Sequence, residues 1–351
     1  MRISQFAGAL GWRDAAAEAD NLLGQGEVGL VLEPSPTLEE DPDWFADDPV
    51  GRRVPEGAPA VSPGGLAGRS WTERVADNPD LEAFAADRWL GSYRPLTPLP
   101  DDFAASRLAL HRVASQVVSP ARRQAIAKMG LRYTYGGFGT PFFSSDGAAK
   151  QVRVVATGTG AAVVVQEGGT AVAAPIESLQ QVGDVVGTPP DTEWAAGLDI
   201  PEPGTLDAPL EVDPAAALGL AEWFGFAWSI LEELRAEDAS SEASRPQLWP
   251  EHFDPAIEIG SAAAEQRAIY GFSPGDVTKS GAAGNVSGPY VYVGPWFPDA
   301  RPDSDFWNAK GFPGAMVSYG EVLAASDDGA AQREFVLAFL RKGRDLLVGQ
   351  R

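Results

Sequence analysis

Residues 151–176 read QVRVVATGTGAAVVVQEGGTAVAAPI, and this stretch decides the fold. Three short runs rich in Val and Ala are divided by Gly158 and Gly160 and then by Gly168-Gly169. Turn glycines between short β-prone runs predict three strands of an antiparallel meander. No helical stretch separates the runs, whereas parallel pairing needs a crossover of a dozen or more residues. A doubly wound parallel sheet is therefore not the expectation.

Outward from the meander, the pattern changes period. Upstream, PDDFAASRLALHRVASQVVSPARRQAIAKMG (100–130) carries Phe103, Leu110, Val113, Val117 and Val118 on one helical face. Ser119-Pro120 is expected to break it into two helices, with Gly130 as the cap of the second. Between helix and meander, LRYTYGGFGTPFF is read as a tight aromatic turn against the sheet. Downstream, residues 176–186 form a short amphipathic helix, and residues 191–213 a Pro-rich crossing segment. The order then recurs. Asp213 and Pro214 are an N-cap and first-turn proline for a helix over 214–237. Its apolar face, Leu220, Trp223, Phe224, Ala227, Ile230, Leu231 and Leu234, is wide enough for a central core helix. LWPEHFDPAIEIG, GPYVYVGPW and GAMVSYG are expected strands, and EFVLAFLRKGRDLL (334–347) the closing helix. The fold class is α+β: two antiparallel β-meander halves faced by helices, with a weak internal duplication. The boundaries are a lead-in over 1–99, a first half over 100–190, the crossing segment, and a second half over 214–351. In the lead-in, short helices over 14–23 and 78–93 and a strand over 26–34 flank a Pro-, Gly- and acid-rich stretch. Residues 35–65 of that stretch are expected to be coil.

Composition narrows the function classes. The chain has 351 residues, 49 acidic and 27 basic, for a net charge of −22. Nucleic acid is a poor partner for such a surface, because phosphate contacts need clustered Lys and Arg. The absence of Cys excludes disulfides, iron–sulfur clusters and a thiol nucleophile. No uninterrupted apolar run approaches 18 residues, so no membrane span is expected. The start, MRISQFAGALGWRDAAAEAD, lacks a basic, then apolar, leader pattern. An acidic, cytoplasmic protein is the resulting expectation.

Chemistry-bearing motifs are few. No G-x-S-x-G elbow occurs. The glycines of YGGFGTPFF are followed by no Lys, so they form neither a P-loop nor a dinucleotide fingerprint. No motif names a cofactor. Only two histidines are present, His111 in RLALHRVASQ and His252 in LWPEHFDPAIEIG. His111 is a buried helix histidine or one half of a site. Asp254 lies two residues beyond His252, so on an extended strand both would face one way. That pair is a candidate base with its orienting acid, or a hydrogen bond fixing a strand entry. No metal is expected, because His111, His252 and Asp254 show no metal-ligand spacing. Tyr290 and Tyr292 in PYVYVGPW share one strand face, with Val291 and Val293 on the other. A pocket between the halves would have His252, Asp254 and His111 at its polar centre. Tyr133, Tyr135, Trp249, Tyr290 and Tyr292 would be its walls, and Arg112 would meet an anionic group. The ligand would be a small, partly hydrophobic molecule. The competing reading is a non-catalytic interaction protein that binds another chain, or a second copy of itself, through an aromatic face.

Four motifs together, LWPEHFDPAIEIG, YGFSPGD, PYVYVGPW and GFPGAMVSYGEVLAASDD with the closing helix, resemble a bacterial family of unknown function. Its members carry a W-P-x-H-F-D-like motif, a G-F-S-x-G-D turn, a P-Y-x-Y strand and a final L-x-Y before a helix. LHRVASQVV and GLRYTYGGFGTPFF resemble its earlier helix and strand. The resemblance spans about residues 105–345 and implies a domain extent; it supplies no reaction. It also places both histidines at motif positions.

Overall fold

A computed structural model describes residues 95–349, apart from 135, 142, 168, 169, 199, 238–242 and 245. The expectations for residues 1–94 lie outside the described residues. The first helical element is α1 (Phe103–Val113), which runs through a π-helical turn (Ala114–Val118) directly into α2 (Ser119–Ile126). The expected break at Ser119-Pro120 does not occur. Proline lacks the N–H that would bond the carbonyl of Gln116, four residues back. The wider π turn accommodates it, and the freed Gln116 carbonyl accepts the N–H of Asp191 at 2.9 Å. Nor is Gly130 the cap. The helix stops at Ala127, which adopts a left-handed φ of 59°.

Residues 131–175 build a six-stranded antiparallel sheet. Its strands are β1 (Arg132–Thr134), β2 (Gly137–Gly139), β3 (Phe143–Ser145), β4 (Ala148–Thr157), β5 (Gly160–Glu167) and β6 (Thr170–Pro175). The expected meander is β4–β5–β6. The Gly-rich aromatic stretch before it is itself three short strands rather than a turn: β2 pairs along β4, as does β3. Two helices follow, α3 (Leu179–Val186) and α4 (Thr192–Ala196). Then α5 (Pro214–Ala236) begins as expected: the Asp213 carboxylate accepts the Ala216 N–H at 2.8 Å, with Pro214 in the first turn.

The second sheet has five antiparallel strands, each paired with the next one along the chain. They are β7 (Gln247–Trp249), β8 (Asp254–Ile259), β9 (Ala268–Ser273), β10 (Tyr290–Pro295) and β11 (Ala315–Ser318). LWPEHFDPAIEIG is thus a hairpin with a turn over 250–253, not one strand, and β9 is an additional strand. α6 (Tyr319–Ala325) and α7 (Gly329–Val348) close the chain. The architecture is α+β with two antiparallel sheets.

One apolar cluster joins everything. Its axis is α5, which packs on β1, β2, β4 and β5 of the first sheet and on β8 and β9 of the second. Trp223, Phe224, Ala227, Ile230 and Leu231 are all fully enclosed. A two-residue bridge between Leu131 and Leu248 ties the edges of the two sheets together. Among the described residues one helix, Pro214–Arg235, is long and apolar enough to cross a membrane by length and composition. Glu222 and the pair Glu232-Glu233 interrupt its apolar sequence. Of its 18-residue apolar window, 72% is buried inside the fold.

Candidate functional site

The turn between β7 and β8 organises the site. Its N–H at Phe253 donates to the carbonyl of Trp249 at 2.7 Å, closing the loop Trp249–Pro250–Glu251–His252–Phe253. Phe253 sits at φ 57°, a left-handed conformation that costs an ordinary residue about 1–2 kcal/mol. Burial offsets the cost. The Phe253 ring is fully enclosed, meeting Phe138 and Phe224 edge-on at 5.0 and 5.2 Å. The reversal points Phe253 into the core, leaves His252 exposed, and starts β8 with Asp254 buried. Period-two alternation therefore does not run through His252 and Asp254, and no hydrogen bond joins the two side chains. The expected pairing of this ring with this carboxylate is replaced by proximity across a shared cleft.

His111, from α1, fastens the turn. Its ring stacks on Phe253 at 5.0 Å with the planes 11° apart. Its Nε2 lies 2.9 Å from the Pro250 carbonyl, which can only accept, so Nε2 carries the proton. Burial holds the imidazole pKa down to about 3. His111 is thus a neutral donor that positions the turn.

Asp254 is the centre of the arrangement. Its Oδ2 accepts the Tyr292 hydroxyl at 2.5 Å. The reach is diagonal. Tyr292 on β10 stands opposite Gly271 on β9, which stands opposite Ala256, two residues along β8 from Asp254. The phenol crosses β9 because position 271 has no side chain; a Cβ there would fall 2.4 Å from Tyr292 Cζ and Oη. Oδ1 of Asp254 is buried and has no hydrogen-bond partner among the described residues. Burial pushes the Asp254 carboxyl above its ordinary pKa; nearby His252, the Tyr292 bond and the residue's own backbone N–H pull it back, and Asp276 adds to the rise. Burial and the Asp254 charge in turn hold Tyr292 well above the usual phenol range.

A second phenol–carboxylate pair flanks the first. Tyr290 donates to Asp276 Oδ1 at 2.8 Å, and Asp276 Oδ2 accepts the Val286 N–H at 3.1 Å. Asp276 begins a loop tied back on itself by the bridge between Val277 and Ala283. Buried Arg107 of α1 holds this loop: its guanidinium donates to the carbonyls of Pro274 at 3.0 Å, Ser287 at 3.4 Å and Asp276 at 3.5 Å. Gly275, at φ 105°, makes room; a Cβ there would lie 2.3 Å from Arg107 Nη1.

These groups enclose a cleft of about 320 Å³. His111 and Asp254 lie in its buried part, Glu251 and His252 enter from the turn, and Ser273 and Asp276 come from the end of β9 and the loop beyond. Tyr290, Tyr292 and Phe312 give it an aromatic side, with Phe312 edge-on to Tyr292 at 6.0 Å. Five of the expected site residues are thus brought together: His111, His252, Asp254, Tyr290 and Tyr292. Three others are elsewhere. Tyr133 is buried in the common core on β1. Trp249 ends β7 outside the cleft lining, and Arg112 is turned to the Glu202 carbonyl at 2.8 Å. Tyr135 lies outside the described residues. Sequence reasoning missed Asp276 and Ser273 as site residues, although both lie in YGFSPGD beside the strand bearing the tyrosines. No group of three or more His, Asp or Glu among the described residues is arranged to hold a metal ion.

No protein-family model, curated protein or solved structure matches the chain. The family resemblance read from LWPEHFDPAIEIG and its companions rests on those motifs alone.

Proposed function

We propose that this protein binds a small organic molecule in the cleft between the 250–253 turn and the loop after β9, with Asp254 as the anchor. The observation that carries this reading is Oδ1 of Asp254: buried, on a residue that lines the cleft, and without a hydrogen-bond partner among the described residues. An unsatisfied buried polar group costs about 1–3 kcal/mol. A ligand bearing an N–H or O–H donor recovers that cost, and the aromatic side receives its apolar part. A cleft of this volume sits at the small end of the range for ligand sites.

The alternative, docking of another chain on an apolar face, has less support. The exposed large apolar residues among those described are Val172, Leu218, Trp296, Phe335 and Val348; only Phe335 and Val348 share an element, α7, and they stand toward its opposite ends. Scattered exposures of this kind are ordinary. A larger recess of about 500 Å³ beside residues 95–100 and the start of α5 contains no buried unpartnered polar side-chain atom among the described residues.

The test is a ligand-observed NMR screen of small amines, alcohols and sugars against the full chain and against Asp254→Asn and Tyr292→Phe. Cleft binders are expected to lose their signal in both variants while the variants stay folded. Binders that are indifferent to both substitutions refute the proposal.

A further inference from the structure

The chemistry of the cleft selects among donor-bearing ligands. Three carboxylates line it: Glu251, Asp254 and Asp276. Buried Arg107 directs its terminal nitrogens to three backbone carbonyls of the loop behind the cleft. The Tyr290 and Tyr292 rings stand side by side, centroids 5.9 Å apart and planes 53° inclined. Electron-rich aromatic rings beside carboxylates attract an organic cation, through the ring quadrupole and through charge-assisted hydrogen bonds. A chain with a net charge of −22 also draws cations toward it at long range. The acidic lining alone would not make a site. The buried Oδ1 of Asp254, an acceptor without a hydrogen-bond partner among the described residues and on a residue that lines the cleft, is the independent observation.

We propose that the cleft takes a small organic ammonium ion, seated against the Tyr290 and Tyr292 rings with an N–H donated to Oδ1 of Asp254. This names the ligand class for the binding reading above and rests on it. A simple anion is disfavoured by the three carboxylates. A neutral alcohol satisfies Oδ1 and leaves the charge of the lining uncompensated.

Proton linkage adds a second signature. Burial biases the Asp254 carboxyl toward its protonated form. An ammonium ion at Oδ1 takes the place of that proton, so its affinity rises with pH. The titratable groups that face Asp254 in the cleft are Glu251 and His252 from the turn, Tyr290 and Tyr292 from β10, Asp276 from the following loop and His111 from α1, with Arg107 beyond His111.

The test uses three probes with one ring: benzylammonium, benzyl alcohol and benzoate, titrated calorimetrically into the full chain. Benzylammonium is expected to bind at least about tenfold more tightly than benzyl alcohol, and benzoate more weakly than either. Asp254→Asn should erase the advantage of the ammonium over the alcohol. As pH rises from the acid side the ammonium should gain affinity while the alcohol stays level. Raised salt should weaken the ammonium selectively. If the alcohol binds as well as the ammonium, or benzoate binds best, the ammonium class is wrong while the cleft reading stands. If none of the three binds at about 10 mM, the ammonium class fails too, and the NMR screen judges the cleft separately.

Discussion

Replacing Asp254 by Asn should make the protein more stable at neutral pH and less able to bind. Asp254 is 3% exposed and its Oδ2 accepts the Tyr292 hydroxyl, while Oδ1 has no partner among the described residues. Its folded pKa is raised, so the folded state holds the proton more tightly than the unfolded chain does. For a raised carboxyl, stability falls as pH climbs above the unfolded value of 3.8, and the loss is complete above the folded pKa. An amide can still accept the Tyr292 O–H and carries no charge to desolvate. A buried acceptor left unsatisfied costs about 1–3 kcal/mol, more when charged, so removing the charge should stabilise by an amount of that order. Urea unfolding of both proteins between about pH 4 and pH 8 isolates the effect, because the surrounding groups are common to both. The difference should be near zero or reversed at the acid end and favour the amide at the neutral end. If Asp254→Asn is destabilising by more than about 1 kcal/mol at every pH, the carboxylate is a paired structural group and the inference from its unmet Oδ1 fails.

Three other outcomes follow from the packing. His111 is held neutral by burial, so the fold should lose stability as pH drops from 6.5 toward about 3. His111→Leu should flatten that part of the wild-type stability curve while lowering stability at neutral pH through loss of the Pro250 bond, both read by acid and urea titration. Gly271→Ala should cost about 1–3 kcal/mol by forcing the Tyr292 ring off β9, and should weaken cleft ligands as Tyr292→Phe does; unchanged melting and binding would contradict the crossing geometry. Ile230→Ala should cost about 2–5 kcal/mol, since its side chain is fully enclosed on α5 between the sheets, and an unmoved melting temperature would deny that helix its central place.

The legible parts of the fold were those where local chemistry and tertiary packing agree. Helix α5 carries its cap, its first-turn proline and its apolar face within one continuous segment. The β4–β5–β6 meander has turns and β-prone runs in simple alternation. Tyr290 and Tyr292 were legible as a shared face for the same reason: Val291 and Val293 on the other face are fully buried. Misreadings arose where a distant contact overrides a local rule. Pro120 would end a helix, but a π turn and the Asp191 N–H absorb its effect. The run LWPEHFDP passes for a strand because nothing in it announces that Phe253 takes a left-handed φ, a conformation sustained by His111, Phe138 and Phe224 from elsewhere in the chain. β9 escaped because Gly271 interrupts its apolar pattern, and that glycine serves the Tyr292 crossing. Asp276 reaches the cleft through a loop fastened by Arg107, 169 residues earlier, a contact without a local signal.

The most direct measurement is a crystal structure of the full chain with benzylammonium bound. The ammonium nitrogen is expected at hydrogen-bond distance, about 2.7–3.1 Å, from Oδ1 of Asp254, with the Tyr292 hydroxyl still on Oδ2 and the ligand ring against the tyrosines. A ligand seated elsewhere, or an Oδ1 already bonded by a side chain of the protein itself, would contradict the proposed site.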